Sequence, residues 1–128
     1  MTDSKARRGS AAIEFAVGLP VILALLLGTV EYSVMFGQRA AAVEAAREAA
    51  WVVALDDATV SEAQARARSV LAGRGVYCAG DACRVELVIV ETDPPLVQCD
   101  VWVRYPALTG FVPTPEWIGS RHEIALEE

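Results

Sequence analysis

Residues 15–30, FAVGLPVILALLLGTV, run for sixteen positions without a charged side chain. With Ser10–Ile13 and Glu14 added, the apolar segment covers residues 10–30. As an α-helix this segment measures roughly 32 Å, against a hydrocarbon core of about 30 Å. A chain of 128 residues has little core in which to hide so long an apolar helix, so a membrane-crossing helix is expected, with the lipid bilayer as its first partner. Lys5, Arg7 and Arg8 precede the run against a single early acid, Asp3. The excess of positive charge places residues 1–9 in the cytoplasm and the remainder across the membrane. Tyr32 and Phe36 follow the run at the depth where amphipathic rings settle. A cleaved secretory signal is the rival, with KARR as its basic region and AAA at 40–42 as its cleavage site. That site lies well past the apolar run, with Glu31 and Arg39 between.

Helical character continues beyond the run. GQRAAAVEAAREAAWVVALDD, residues 37–57, is dense in alanine and other good helix formers. No proline occurs between residues 21 and 55, so one helix is expected over about 10–55, some 70 Å long. Pro20 should bend it or loosen a turn. Ala40, Val43, Ala46 and Ala50 would form a small-residue stripe, with Glu44 beside Arg47 and Glu48 on one flank. A second short helix is expected over about 60–72, capped by Thr59 or Ser61 with Glu62 three positions after Thr59, and ended by Gly73. Val60, Ala63, Ala67, Val70 and Leu71 would be its apolar side, leaving Arg66, Arg68 and Arg74 toward water.

The period then changes to alternation. CRVELVIVE, residues 83–91, sets Val85, Leu87 and Ile89 on one face. VQCDVWVRY, residues 97–105, sets Val97, Cys99, Val101, Val103 and Tyr105 together, with Gln98, Asp100 and Arg104 opposite. TDPPL between them is turn material, giving an antiparallel hairpin. PALTGFVPTP reads as a proline-rich loop, and EWIGSRHEIALEE is expected to supply a third strand near 120–126. The fold class is α+β: an anchor helix continuing as a spine, a short second helix, and a small antiparallel sheet. The domains expected are a leader at 1–9, a transmembrane segment at 10–36, and an extracytoplasmic domain at 37–128. Trp102, Phe111 and Trp117 are expected to pack a small core, with a binding surface as the alternative.

A net charge of −6 argues against nucleic acid as a partner, because phosphate binding needs a basic surface. Outside the cytoplasm a disulfide is plausible. Three cysteines allow three pairs; Cys78–Cys83 is favoured because it closes a short loop before the first strand, with Cys99 as the alternative partner. No C-x-x-C occurs and His122 is the only histidine, so no metal site is expected. His122-Glu123 lacks the second histidine of H-E-x-x-H, and nothing marks a nucleophile with its base. The expectation is a protein that is not an enzyme and uses no cofactor.

Glu14 is the anomaly. A carboxylate near the end of a membrane helix costs about 1–3 kcal/mol if it merely snorkels or protonates. A backbone cut between Gly9 and Ser10 changes its meaning. Ser10 would gain a free amine one helical turn from Glu14, on nearly the same face. Glu14 would then meet that amine or a neighbour's. The cut would also remove Lys5, Arg7 and Arg8, which hold the N-terminus in the cytoplasm. With Asp3 lost as well, the formal net charge moves from −6 to −8.

RRG at 7–9, SAAIEF at 10–15, GLPVILALLLGTVEYS at 18–33 and AAREAAW at 45–51 resemble type IV prepilin-like proteins. Within these they resemble more closely the TadE-like branch of the tight-adherence (Flp, type IVc) pilus system. The resemblance implies that Gly9 precedes a cut made by a membrane prepilin peptidase. It further implies that Glu14, followed by Phe15, serves processing and ordered assembly. The chain would then be a minor pilin, pseudopilin or pilus assembly protein of the bacterial inner membrane, within or at the tip of an adhesive pilus or assisting it. Its implied partners are the peptidase, other pilins or pseudopilins, and the inner-membrane assembly platform. Serine at position 10 departs from filament-forming type IV pilins, which often begin with a methylated phenylalanine. The alternative is a single-pass anchored extracytoplasmic binding domain that does not enter a pilus.

Overall fold

The computed structural model describes residues 3–56 and 58–126, with side chains described over 11–55 and 58–126. Elements follow in the order α1 (Asp3–Asp56), α2 (Val60–Gly73), β1 (Cys83–Val90), β2 (Leu96–Arg104) and β3 (Trp117–Ala125). This is the α+β arrangement expected: a long apolar helix, a shorter helix and an open three-stranded antiparallel sheet. Helix α1 starts nearer the N-terminus than expected and runs through Pro20 without losing its helical assignment. The chain divides into two compact units, Met1–Ser33 with Ala107–Pro113, and Val34–Pro106 with Thr114–Glu128.

In the second unit the sheet has the order β1-β2-β3, both pairs antiparallel. Strand β2 is central, and its alternation is the cleanest in the chain. Val97, Cys99, Val101, Val103 and Tyr105 are all buried. Val85 and Leu87 share that face from β1, but Ile89, expected with them, is 49% exposed. β3 begins at Trp117 rather than near 120, because Arg104 still has a partner there in the ladder. Cys78 and Cys83 form the disulfide favoured from the sequence and fix the entry into β1, leaving Cys99 as a buried free thiol.

One buried cluster joins the sheet to both helices. From α1 it takes Ala41, Ala42, Ala45, Ala46, Ala49, Ala50 and Val53, and from α2 Ala63, Ala67 and Leu71. The stripe on α1 is therefore turned from the one expected: Ala40 and Val43 are exposed. Both helices contribute mostly alanine to this cluster, and the larger apolar volume comes from Leu71 and the strands. Glu44 and Glu48 also differ from expectation, pairing with Arg74, just past the end of α2, and with Arg66 of α2 rather than along their own helix. These pairs are half-exposed and hold register more than they stabilise.

Helix α2 is bounded by two complete motifs. At its start the Thr59 hydroxyl accepts from the Glu62 backbone N–H, while the Thr59 N–H donates to Glu62 Oε2 at 2.9 Å. This is a capping box, as expected from the spacing. The Thr59 hydroxyl also donates to Glu62 Oε2 at 2.7 Å, and this bond first, then the one from the Thr59 N–H, holds the Glu62 carboxyl below its ordinary pKa. At its end Gly75, not Gly73, takes the left-handed conformation, with φ +78°. Its N–H donates to the Ala72 carbonyl and that of Val76 to the Leu71 carbonyl, at 3.0 and 2.9 Å. That pair of bonds is a Schellman motif, and Val76 and Leu71 join the same core, supplying its usual apolar contact.

Candidate functional site

The first unit contains the segment singled out by the sequence. From Ala11 to Val30 every residue of α1 is exposed except Gly18 and Gly28, which are partly so. Ile13, Phe15, Val17 and Leu25 are each about two-thirds exposed. A helix apolar on all sides cannot be satisfied by one buried stripe; it needs an apolar medium or other helices around it. Its polar side chains are handled within the helix. Thr29 donates to the Leu25 carbonyl at 2.8 Å, and Ser33 to the Thr29 carbonyl at 2.7 Å. Such back-bonding leaves little unmet polarity on the helix surface. At Pro20 the missing N–H frees the Ala16 carbonyl from its intrahelical bond.

Glu14 lies on this exposed surface, between Ile13 and Phe15. Gly9 and Ser10 fall within the helical backbone of α1, but their surroundings, and the side chains of Lys5, Arg7 and Arg8, lie outside the described residues. Positions 10 and 14 are one turn apart on a continuous helix, so the spacing argued for the new amine and Glu14 is kept.

A second glutamate, Glu31, closes the apolar run, and the sequence reading did not single it out. It is fully buried. Oε1 accepts from the Leu108 backbone N–H at 2.9 Å, and Oε2 accepts from the Thr109 N–H at 2.9 Å and its hydroxyl at 2.8 Å. These donors come from the PALTGFVPTP loop, where Gly110 takes a positive φ of +68° to turn the chain. The loop also meets the helix at Gly28, where an added Cβ would stand 3.6 Å from Val112 Cγ2. The signal available was the symmetry of the segment: one acid near each end of an otherwise charge-free stretch. Nothing in the loop's composition points to its partner.

The solvent face of the sheet in the second unit carries a different set. Arg84 stacks over Trp117 with its guanidinium carbon 4.2 Å from the ring centre, and Arg104 lies 6.0 Å from the same ring. Arg121 grips Asp100 through Nε and Nη2 at 2.7 and 3.0 Å, which pulls the Asp100 carboxyl below its usual range. Trp102 is 41% exposed and Phe111 80% exposed, so the expectation that these rings fill the core is corrected. Trp102 sits outside because it falls on the outward side of β2, opposite the buried Val97, Cys99, Val101 and Val103, whereas Phe111 belongs to the loop of the first unit. Among the described residues no group of three or more His, Cys, Asp or Glu side chains is placed to hold a metal ion.

These features define a class: a chain with one apolar N-terminal helix, long enough by length and composition to cross a membrane, attached to a small α+β domain. The protein family described as TadE-like protein matches residues 9–51, which is part of the chain. The match begins at Gly9 and covers Ser10, Glu14, Phe15, Pro20, Glu31 and the alanine-rich stretch through Trp51. No curated protein and no solved structure matches the chain.

Proposed function

We propose that this protein is a minor pilin, pseudopilin or assembly protein of a tight-adherence pilus, made as a membrane-stored precursor and cut by a prepilin peptidase between Gly9 and Ser10. The observation that carries the reading is the coincidence of the family match with the exposed apolar surface of α1 and Glu14 upon it. An all-round apolar helix is stable in lipid, and remains stable on leaving lipid when similar helices surround it. Before the cut, Lys5, Arg7 and Arg8 hold residues 1–9 on the cytoplasmic face. After it, Ser10 carries a free amine, and Glu14 of the same or a neighbouring subunit pairs with it in low dielectric. That pairing makes a carboxylate in the apolar run an alignment device rather than a penalty. The chain enters the cutting reaction as substrate, with Gly9 giving the peptidase access to the backbone. Its α+β domain faces the extracytoplasmic side, where the Cys78–Cys83 disulfide is at home.

The test is Glu14→Ala in cells that carry the peptidase and pilins. Membrane insertion should persist while co-purification with other pilus subunits and pilus yield are lost. Unchanged pili with Glu14→Ala would count against a role for this carboxylate in assembly. A second reading, a single-pass anchored binding domain, draws on the exposed Trp102 and the stacked Arg84–Trp117 pair in a domain whose strands lie beyond the family match. It predicts that residues 1–9 stay on the chain.

A further inference from the structure

Residues 106–115, PALTGFVPTP, contain no charged side chain, and Leu108 and Phe111 are 57% and 80% exposed. Ala107–Pro113 belongs to the same compact unit as the apolar helix. Glu31 accepts from Leu108 and Thr109 just where the charge-free run ends, and Val112 lies against Gly28, three residues earlier. Three residues of helix rise about 4.5 Å, so the loop descends from Glu31 alongside the run rather than away from it. Phe111 adjoins Val112 at the level of the last apolar turns.

We propose that this loop is a second membrane contact, with Phe111 and Leu108 inserted at the headgroup–acyl boundary on the side where α1 leaves the hydrocarbon. The inference rests on the reading of residues 10–30 as membrane-spanning. Two features fit the loop to lipid rather than water or a charged partner. Its apolar side chains add to the exposed apolar surface of α1, and the one acid where the two meet, Glu31, is fully buried. The backbone donors of Leu108 and Thr109 are met by Glu31, so they enter a poor hydrogen-bonding medium already partnered, and the Glu31 carboxylate is itself supplied with donors at that boundary. Amphipathic helices at this boundary bury their apolar face about 5–10 Å deep, which sets the scale for the depth expected of Phe111.

The experiment uses the full chain in vesicles of phosphatidylcholine and phosphatidylglycerol. A nitroxide is attached at Phe111→Cys on a Cys99→Ser background. Reference labels are placed at Leu25→Cys, within the run, and Ser69→Cys, exposed on α2. Collision with oxygen, which enters lipid, is compared with collision with a water-soluble nickel chelate. The label at 111 should lie between the two references, on the lipid side of Ser69, and Glu31→Ala should shift it toward water. A water-like label at 111 beside an embedded label at 25 overturns the loop contact and leaves the span standing. A water-like label at 25 overturns both. A label at 111 shielded from oxygen and nickel alike means a protein covers it, which also overturns the inference.

Discussion

Residues 11–30 and the α+β domain are both rich in apolar side chains, yet they use them in opposite ways. In the domain apolar residues are divided by face: Val97, Cys99, Val101 and Val103 are buried, while their neighbours Gln98, Asp100, Trp102 and Arg104 turn outward. In residues 11–30 no face is hidden. The domain solves its burial within one chain; the helix leaves it to surroundings the chain does not supply. A two-faced pattern therefore marks a self-contained fold, and an unfaced one marks a segment whose folded environment is lipid or other subunits.

Paired substitutions of one kind should break the two regions differently. Leu71, fully buried, should cost about 2–5 kcal/mol when cut to Ala, read as a lower melting point of the full chain in detergent. Leu25→Ala, at a position 67% exposed, should leave that melting point unchanged. Equal losses would mean that residues 11–30 are part of the domain's own core. The next effect probes the sheet's outer face. A Cβ at Gly119 would stand 2.5 Å from two Trp102 ring atoms and from the Val101 carbonyl oxygen. Gly119→Ala should therefore cost about 1–3 kcal/mol, because the ring can swing away but the backbone carbonyl cannot. Adding Trp102→Ala should recover only part of the loss.

Smaller effects sit at helix ends and ion pairs. Thr59→Ala should cost about 1 kcal/mol by removing the cap of α2. Glu62 and Asp100 both have lowered carboxyl pKa values, through bonds from Thr59 and from Arg121 respectively. A lowered folded-state value stabilises above the unfolded pKa of about 4 and is lost as pH falls through the folded value. Acid titration of the melting point should show a fall beginning below about pH 4, made shallower by Asp100→Asn. The smallest signal is chemical. Burial, with Asp100 adjacent, raises the Cys99 thiol to about 11, so at pH 8 it should resist alkylation until the domain is unfolded. Rapid labelling of the native chain would mean that the inner face of β2 is open.

The sequence revealed most where side chains differ sharply between faces. The strand over 97–105 stood out because large apolar and polar residues alternate there, and the capping box because its two residues are three apart. The stripe on α1 differs from expectation because Ala40 and Val43 lie with Glu44, Arg47 and Glu48 on the outer side, while the packed side is alanine from 41 to 50 and has no large apolar residue to mark it before Val53. β3 begins earlier than expected because Gly119 and Ser120 interrupt its pattern, and Gly119 is demanded by the Trp102 ring and the Val101 carbonyl of the neighbouring strand. Glu14 could be weighed from local spacing, whereas Glu31 depends on Leu108 and Thr109, 77 and 78 residues away, in a loop without charges. Acids near both ends of one apolar run were visible; only the fold gives the second its partners.

In the proposed function, residues 11–30 become a subunit-facing surface once a cut between Gly9 and Ser10 gives Ser10 a free amine. The intact mass and N-terminal sequence of the chain, taken from native membranes that contain an active prepilin peptidase, test it most directly. The protein should begin at Ser10 and be shorter by residues 1–9, and a bulky replacement of Gly9 should restore the full length. A chain that keeps Lys5 through Gly9 under those conditions would contradict the account.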